Sequence, residues 1–200
     1  MGDEAGYRQL LTKTFYADVA AFHNRYEKLS SYGNLFFSTI TSPIAALVLN
    51  VPYANGIDGT TDGIEVAPDW KPVPWWDLKG NYSYLHLNLH PRPGYSDTGT
   101  AASYDGSSPH RESTVQSFFD LPHRTEFDFD YRYVSRLPAQ TVKSYQTGDA
   151  YFSWRINGQL EFSATGQNLL QPEHSEFSGD NSNMVGIRRA VYAGFTWQHE

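Results

Sequence analysis

Apolar and polar side chains alternate along most of this chain. Across residues 125–138, Phe127, Phe129, Tyr131 and Tyr133 interleave with Glu126, Asp128, Asp130 and Arg132. Successive side chains of a β-strand point to opposite faces, so this stretch predicts a strand with one aromatic wall and one charged wall. Residues 4–11 and 14–27 read as two strands joined by a turn near Thr12, with Phe15, Ala17, Val19 and Ala21 opposite Tyr16 and Asp18. A connection over residues 28–60 follows, and its apolar patch at 44–51 is expected to extend the next strand. That strand, residues 61–70, sets Ile64 and Val66 against Gly63 and Glu65.

Residues 76–90 alternate with a change of phase. Leu78, Tyr82 and Tyr84 share one face, and then Leu85, Leu87 and Leu89 take the other. Either the strand passes into a second environment or a bulge lies at Tyr84 or Leu85. Residues 91–110 read as loop by their Gly, Ser, Asp and Pro content. Strands at 112–121 and 125–138 are joined by a tight turn. In the strand at 145–156, Ala150, Phe152 and Trp154 oppose Asp149, Tyr151 and Arg155, and Asn157-Gly158 predicts a two-residue hairpin into residues 160–169. There Phe162 and Ala164 oppose Glu161 and Ser163. A polar loop at 171–187 leads to a last strand at 188–197.

About nine strands result from this period-two reading. Short turns near Thr12, Pro72, Pro122 and Gly158 alternate with longer connections starting near Lys28, Pro91, Ala139 and Gln171. Strands running up and down then carry every short turn at one end, the asymmetry of outer-membrane barrels. In that setting Phe127, Phe129, Tyr131, Tyr133, Phe152, Trp154 and Phe162 are expected to face lipid. Glu65, Asp128, Asp130, Arg132, Asp149 and Arg155 are expected to face a wet lumen, because an Arg against mid-depth lipid costs about 2–4 kcal/mol. The predicted fold is all-β, an antiparallel up-and-down barrel segment. The same aromatic faces also suit the core of a soluble barrel or sandwich that binds a small molecule.

Composition changes this picture in three places. The 200 residues include 14 Tyr, 12 Phe and 5 Trp, an excess that suits surfaces where rings meet both apolar and wet surroundings. A net charge of −7 without a Lys/Arg cluster argues against nucleic acid as a partner. Cysteine is absent, which removes thiol chemistry, and the apolar run at 43–49 is far short of the roughly 20 residues of a membrane helix. The N-terminal residues are acidic and lack the pattern of a secretory signal, and Gly6 departs from the myristoylation pattern.

Candidate chemistry is sparse. His86 and His90 would share a helical face, but the leucine alternation makes this a strand, which separates them by about 13 Å. No metal site is expected from them. Asp128, Asp130, Asp149 and Glu161 are explained as alternating residues of a wet wall; GxSxG is absent, and neither catalysis nor a cofactor is expected. Residues 166–170, GQNLL, read as a structural turn that ends a strand.

Ordered words along the chain carry a resemblance. Gly63-Ile64-Glu65, Trp75-Trp76, Tyr82-Ser83-Tyr84-Leu85, Ser108-Pro109-His110 and Asp120-Leu121-Pro122 come first. Arg132 through Pro138, Gly166 through Leu170, and His174-Ser175-Glu176-Phe177 follow. Together they resemble the C-terminal part of the barrel of TonB-dependent outer-membrane receptors. The resemblance implies a barrel of about 22 strands around a plug, importing a scarce nutrient such as a siderophore, metal complex, vitamin or glycan with energy delivered by TonB. It implies as partners outer-membrane lipid, the plug, TonB and the barrel-assembly machinery, and places the chain in the outer membrane. Residues 1–200 then form a C-terminal barrel segment without its plug, which is not expected to act alone. The implied assembly signal ends on an aromatic residue, whereas Gln198-His199-Glu200 follow Trp197 here. Arg132, Arg155, Glu65 and Asp149 are candidates to face the plug, or simply the water of the lumen.

Overall fold

The computed structural model describes residues 1–178 and 186–198. In chain order the strands are β1 (Gly2–Thr12), β2 (Phe15–Tyr32), β3 (Phe36–Ile40), β4 (Ala46–Asn50), β5 (Tyr53–Val73) and β6 (Trp76–Pro91). Helix α1 (Thr98–Gly106) comes next, then β7 (Arg111–Leu121), β8 (Thr125–Val134), β9 (Tyr145–Arg155) and β10 (Leu160–Gln167). The short strands β11 (Glu173–Ser175) and β12 (Gly186–Arg188) precede β13 (Ala190–Trp197). Nine strands form one antiparallel sheet in the order β1-β2-β5-β6-β7-β8-β9-β10-β13. It is an open barrel segment: among the described residues β1 and β13 each have a strand neighbour on one side only.

The four tight turns, β1–β2, β5–β6, β7–β8 and β9–β10, fall at one end, and the long connections at the other. Register carries one apolar face across the sheet. Trp76 lies opposite Phe119, Phe119 opposite Phe127, Phe127 opposite Phe152, Phe152 opposite Ala164, and Ala164 opposite Ala193. Near the tight turns the aromatic rings touch: Trp76 stacks on Phe119 at 5.5 Å and Phe119 on Phe127 at 6.0 Å. Toward the long loops the same face carries Tyr82, Tyr131 and Tyr133. Trp76 to Tyr84 spans about 27 Å along the strand, hence about 20 Å in height at a 45° tilt. Two polar groups on this face are paired within it. The Trp76 indole N–H donates to Ser117 at 2.9 Å, and the Tyr131 hydroxyl to Gln146 at 3.0 Å.

A soluble sandwich would need a second layer on that face. Among the described residues none lies there, and Val191 and Phe195 are 70% and 69% exposed. The buried apolar side chains Ile57, Ala101, Val134, Leu137, Val142 and Tyr145 instead gather at the long-loop end.

The loops depart from the sequence reading. The patch at 44–51 does not extend β5: β4 pairs back on β3, and Pro52, which has no N–H to donate, separates it from β5. The phase change in β6 is not a bulge. Its pairing with β5 keeps one register from Ile57 opposite Pro91 to Trp70 opposite Leu78, and the outer face simply turns polar at His86, Asn88 and His90. β8 ends at Val134 rather than at Pro138, because Leu137 bridges to Val142 around a 3-10 turn, Pro138–Gln140. The loop expected at 171–187 contains the β11–β12 pair, which takes Arg188 from the last strand.

Helix α1 lies in the stretch expected to be loop. Asp97 caps it, accepting the Thr100 N–H at 2.9 Å, and its other oxygen accepts the Tyr32 N–H at 2.6 Å. One carboxylate thus ties the β6–β7 loop to the top of β2. The Thr100 side chain and these backbone donors hold the Asp97 carboxyl below its ordinary value of 3.8. Its contribution is therefore present above pH 4 and lost as pH falls through the lowered value. Asp97→Ala is expected to cost about 1 kcal/mol locally, read as faster hydrogen exchange at the Tyr32 and Thr100 amides. The wild-type amides should reach that faster rate only in acid below pH 4.

Candidate functional site

The face opposite the aromatic one carries the charged residues, with Phe22, Leu85, Leu87, Leu89 and Phe118 among them. Register places Glu65, Asp128, Asp130, Arg132, Asp149 and Arg155 on it, and Phe127, Phe129, Tyr131, Tyr133, Phe152, Trp154 and Phe162 on the other. The charged residues are spread along the wall. Glu65 lies between Ala20 and Ser83, Asp128 between Phe118 and Tyr151, and Arg155 pairs with Glu161 at 3.6 Å near the tight turns. Asp130, Arg132 and Asp149 are brought together in a recess at the long-loop end.

The connection after β10 folds over the wall to make this recess. Asn168, at φ 53°, turns the chain: its N–H donates to Asp149 at 2.7 Å and its side-chain amide to the Ile187 carbonyl at 2.9 Å. Leu170 and Leu169 close on Gly148 and Gly166, where a Cβ would lie 2.7 Å and 2.9 Å from their side chains, so a larger residue at either position would have to displace the leucine. The GQNLL stretch is thus a turn that ends β10, as expected.

Strand β11 then brings His174 against β9. The His174 ring stacks on Tyr145 at 4.4 Å, and the Arg132 guanidinium lies 5.9 Å from the centre of the Tyr145 ring. Glu176 joins them, 3.3 Å from His174 Nε2 and 3.7 Å from Arg132. Tyr145 is only 5% exposed, so its aromatic contacts are made away from water, where they are stronger. Arg132, Tyr145, His174 and Glu176 form a latch between the wall and the loop.

Beside the latch, a recess of about 380 Å³ is lined by Gln116, Thr147, Gln167 and Arg188 together with Asp130 and Asp149. Amides, hydroxyls and charges of both signs suit hydrogen bonding to a polar surface or solute. His174 Nδ1 and Asn168 Oδ1 are buried at its edge without a hydrogen-bond partner among the described residues. His86 and His90 lie on strand β6, and Asp62, opposite His86, pairs with His23 at 2.6 Å. Sequence reasoning gave Arg132 a place here but missed Tyr145, His174 and Glu176. The available signal was His174-Ser175-Glu176, whose spacing puts both titratable side chains on one side of a strand.

Comparison with known proteins agrees with this geometry. The family model for the TonB-dependent receptor-like β-barrel matches residues 4–169. The chain belongs to that family. Among solved structures it is similar to the ferric-catecholate import receptor Fiu of Escherichia coli K12, with a TM-score of 0.69 at 17% identity, over 98% of this chain and 27% of that one. The siderophore receptor PiuA of Acinetobacter baumannii gives 0.70 at 19% identity, over 98% and 28%. The ferric yersiniabactin uptake receptor FyuA of Yersinia pestis gives 0.63 at 13% identity, over 97% and 28%. The chain spans less than a third of the length of these receptors, and no curated protein matches it.

Proposed function

We propose that residues 1–200 form the C-terminal arc of an outer-membrane barrel that imports a scarce nutrient, a transporter part without enzymatic chemistry. Phe127, Phe129, Tyr131, Tyr133, Phe152, Trp154 and Phe162 face lipid in this reading. Glu65, Asp128, Asp130, Arg132, Asp149 and Arg155 line the lumen, with Glu65, Arg132, Asp149 and Arg155 toward a plug that these residues do not include. The single observation that carries the reading is the uncovered apolar face, bounded by Trp and Phe rings at the tight-turn end and by Tyr at the other. The ordered sequence words support the C-terminal placement, and membership of the family supports TonB and the assembly machinery as partners. The named relatives make a ferric siderophore the first nutrient class to assay, with other metal complexes, vitamins and glycans next. Gln198 follows β13, its N–H donating to the Gln159 carbonyl at 2.8 Å, while His199 and Glu200 lie outside the described residues.

Insertion can be read from tryptophan. Trp70, Trp76, Trp154 and Trp197 lie on the apolar face, so phosphatidylcholine with brominated acyl chains should quench the fluorescence of the reconstituted chain. Recovery as a monodisperse protein without detergent, with no quenching, would overturn the membrane reading. Lipid cannot satisfy the open backbone edges of β1 and β13. The chain alone should therefore give no discrete channel openings in planar bilayers; unitary openings would show that it closes a pore by itself.

A further inference from the structure

Above the upper tyrosines, the apolar face ends at a cationic pocket. Register continues this face from Tyr84 to Arg111, and the Ser135 N–H donates to the Arg111 carbonyl at 2.9 Å, two residues beyond the pairing of Ser113 with Tyr133. The Arg111 guanidinium lies 5.8 Å from the centre of the Tyr84 ring, and Ser135 Oγ accepts the Arg111 N–H at 3.0 Å. Arg136 and Ser144 complete a recess of about 480 Å³ with Tyr133 at its lower edge. Asp105 also lines it, but that carboxylate is held by His110 Nε2 at 2.9 Å. Neither Arg111 nor Arg136 has a carboxylate within ion-pair distance among the described residues, in a chain of net charge −7.

We infer that this pocket binds the phosphate of an anionic outer-leaflet lipid. The inference rests on the proposal that the apolar face meets lipid. Its height follows from the sheet: the next outward positions of β5 and β6 are Asp62, His86, Asn88 and His90, so Arg111 stands where the apolar band gives way to polar side chains. Phosphate is the group that matches the donors. Two guanidinium forks offer paired N–H bonds to its oxygens, hydroxyls of Ser135 and Ser144 add donors, and the Tyr84 ring supports one fork from its face. A phosphate on a lipid reaches this height with its acyl chains lying along the wall that Tyr82, Tyr131 and Tyr133 form.

The test uses the full chain in vesicles of brominated phosphatidylcholine, with and without about 10 mol% phosphatidic acid, and native mass spectrometry to count retained lipid. The wild-type chain should retain phosphatidic acid about tenfold over phosphatidylcholine. Arg111→Gln with Arg136→Gln should abolish that preference, whereas Arg8→Gln, on the other face and paired with Asp18, should preserve it. Equal retention by wild type and the double variant overturns the inference. So does full displacement of the lipid by millimolar inorganic phosphate, which would make this a site for the free ion. Tryptophan quenching separates the two levels: without it the membrane reading fails, and with it but without lipid preference only this inference fails. Strand content by circular dichroism checks that each variant folds.

Discussion

Phe129→Arg is expected to destabilise the membrane-inserted sheet by about 2–4 kcal/mol, against about 0.5 kcal/mol or less for Gln116→Arg. The two sites lie at similar heights on neighbouring strands, Phe129 opposite Ser117 and Gln116 opposite Asp130. They differ in face. An arginine at 129 enters the aromatic wall, where lipid, on the reading proposed above, would offer its guanidinium no partner. One at 116 enters the charged wall beside the Asp130 carboxylate. Denaturant titration of the reconstituted chain, followed by tryptophan emission, reads both. Equal costs at the two sites would show that the faces do not meet different solvents, and the lipid assignment would fall with them.

The alternation that makes this prediction possible was legible because β8 keeps one kind of side chain on each face from Glu126 to Tyr133. β8 shows it in sequence, and register spreads it to β7 and β9 without interruption. The hairpin after β9 was legible, but not its length: Asn157-Gly158 predicted a two-residue turn, whereas residues 156–159 connect Arg155 to Leu160, with Asn157 accepting the Gln159 and Leu160 N–H groups. Helix α1 was not. Its stretch, Thr98–Gly106, lacks an apolar period, and it is held by the Asp97 cap and by packing, with Gly106 pressed against Ala139. The latch was hidden for a different reason. Tyr145 and His174 meet only because Asn168 takes a left-handed turn and the loop folds back, a long-range contact that no local period encodes. The wall residues of the recess could be read from one strand at a time, but its lid could not.

That lid gives the second large effect. Tyr145→Ala should release the loop after β10 from the wall, because the substitution removes a buried ring that touches both His174 and Arg132. Truncating a buried aromatic costs about 3–5 kcal/mol. At the lower figure the open loop gains roughly 100-fold in population. When reclosing outpaces cleavage, proteolysis follows that population, so clipping after Phe177 and Arg189 should accelerate by about the same factor. Tyr145→Phe keeps the ring and its two stacked partners and should stay within about threefold of wild type. Arg132→Ala should fall between them: it removes the cation over the ring but leaves Glu176 with His174 at 3.3 Å. If Tyr145→Ala is clipped no faster than Tyr145→Phe, the loop is held by its turn at Asn168 and by Leu170 on Gly148 rather than by the latch. The recess would then owe its shape to the wall alone.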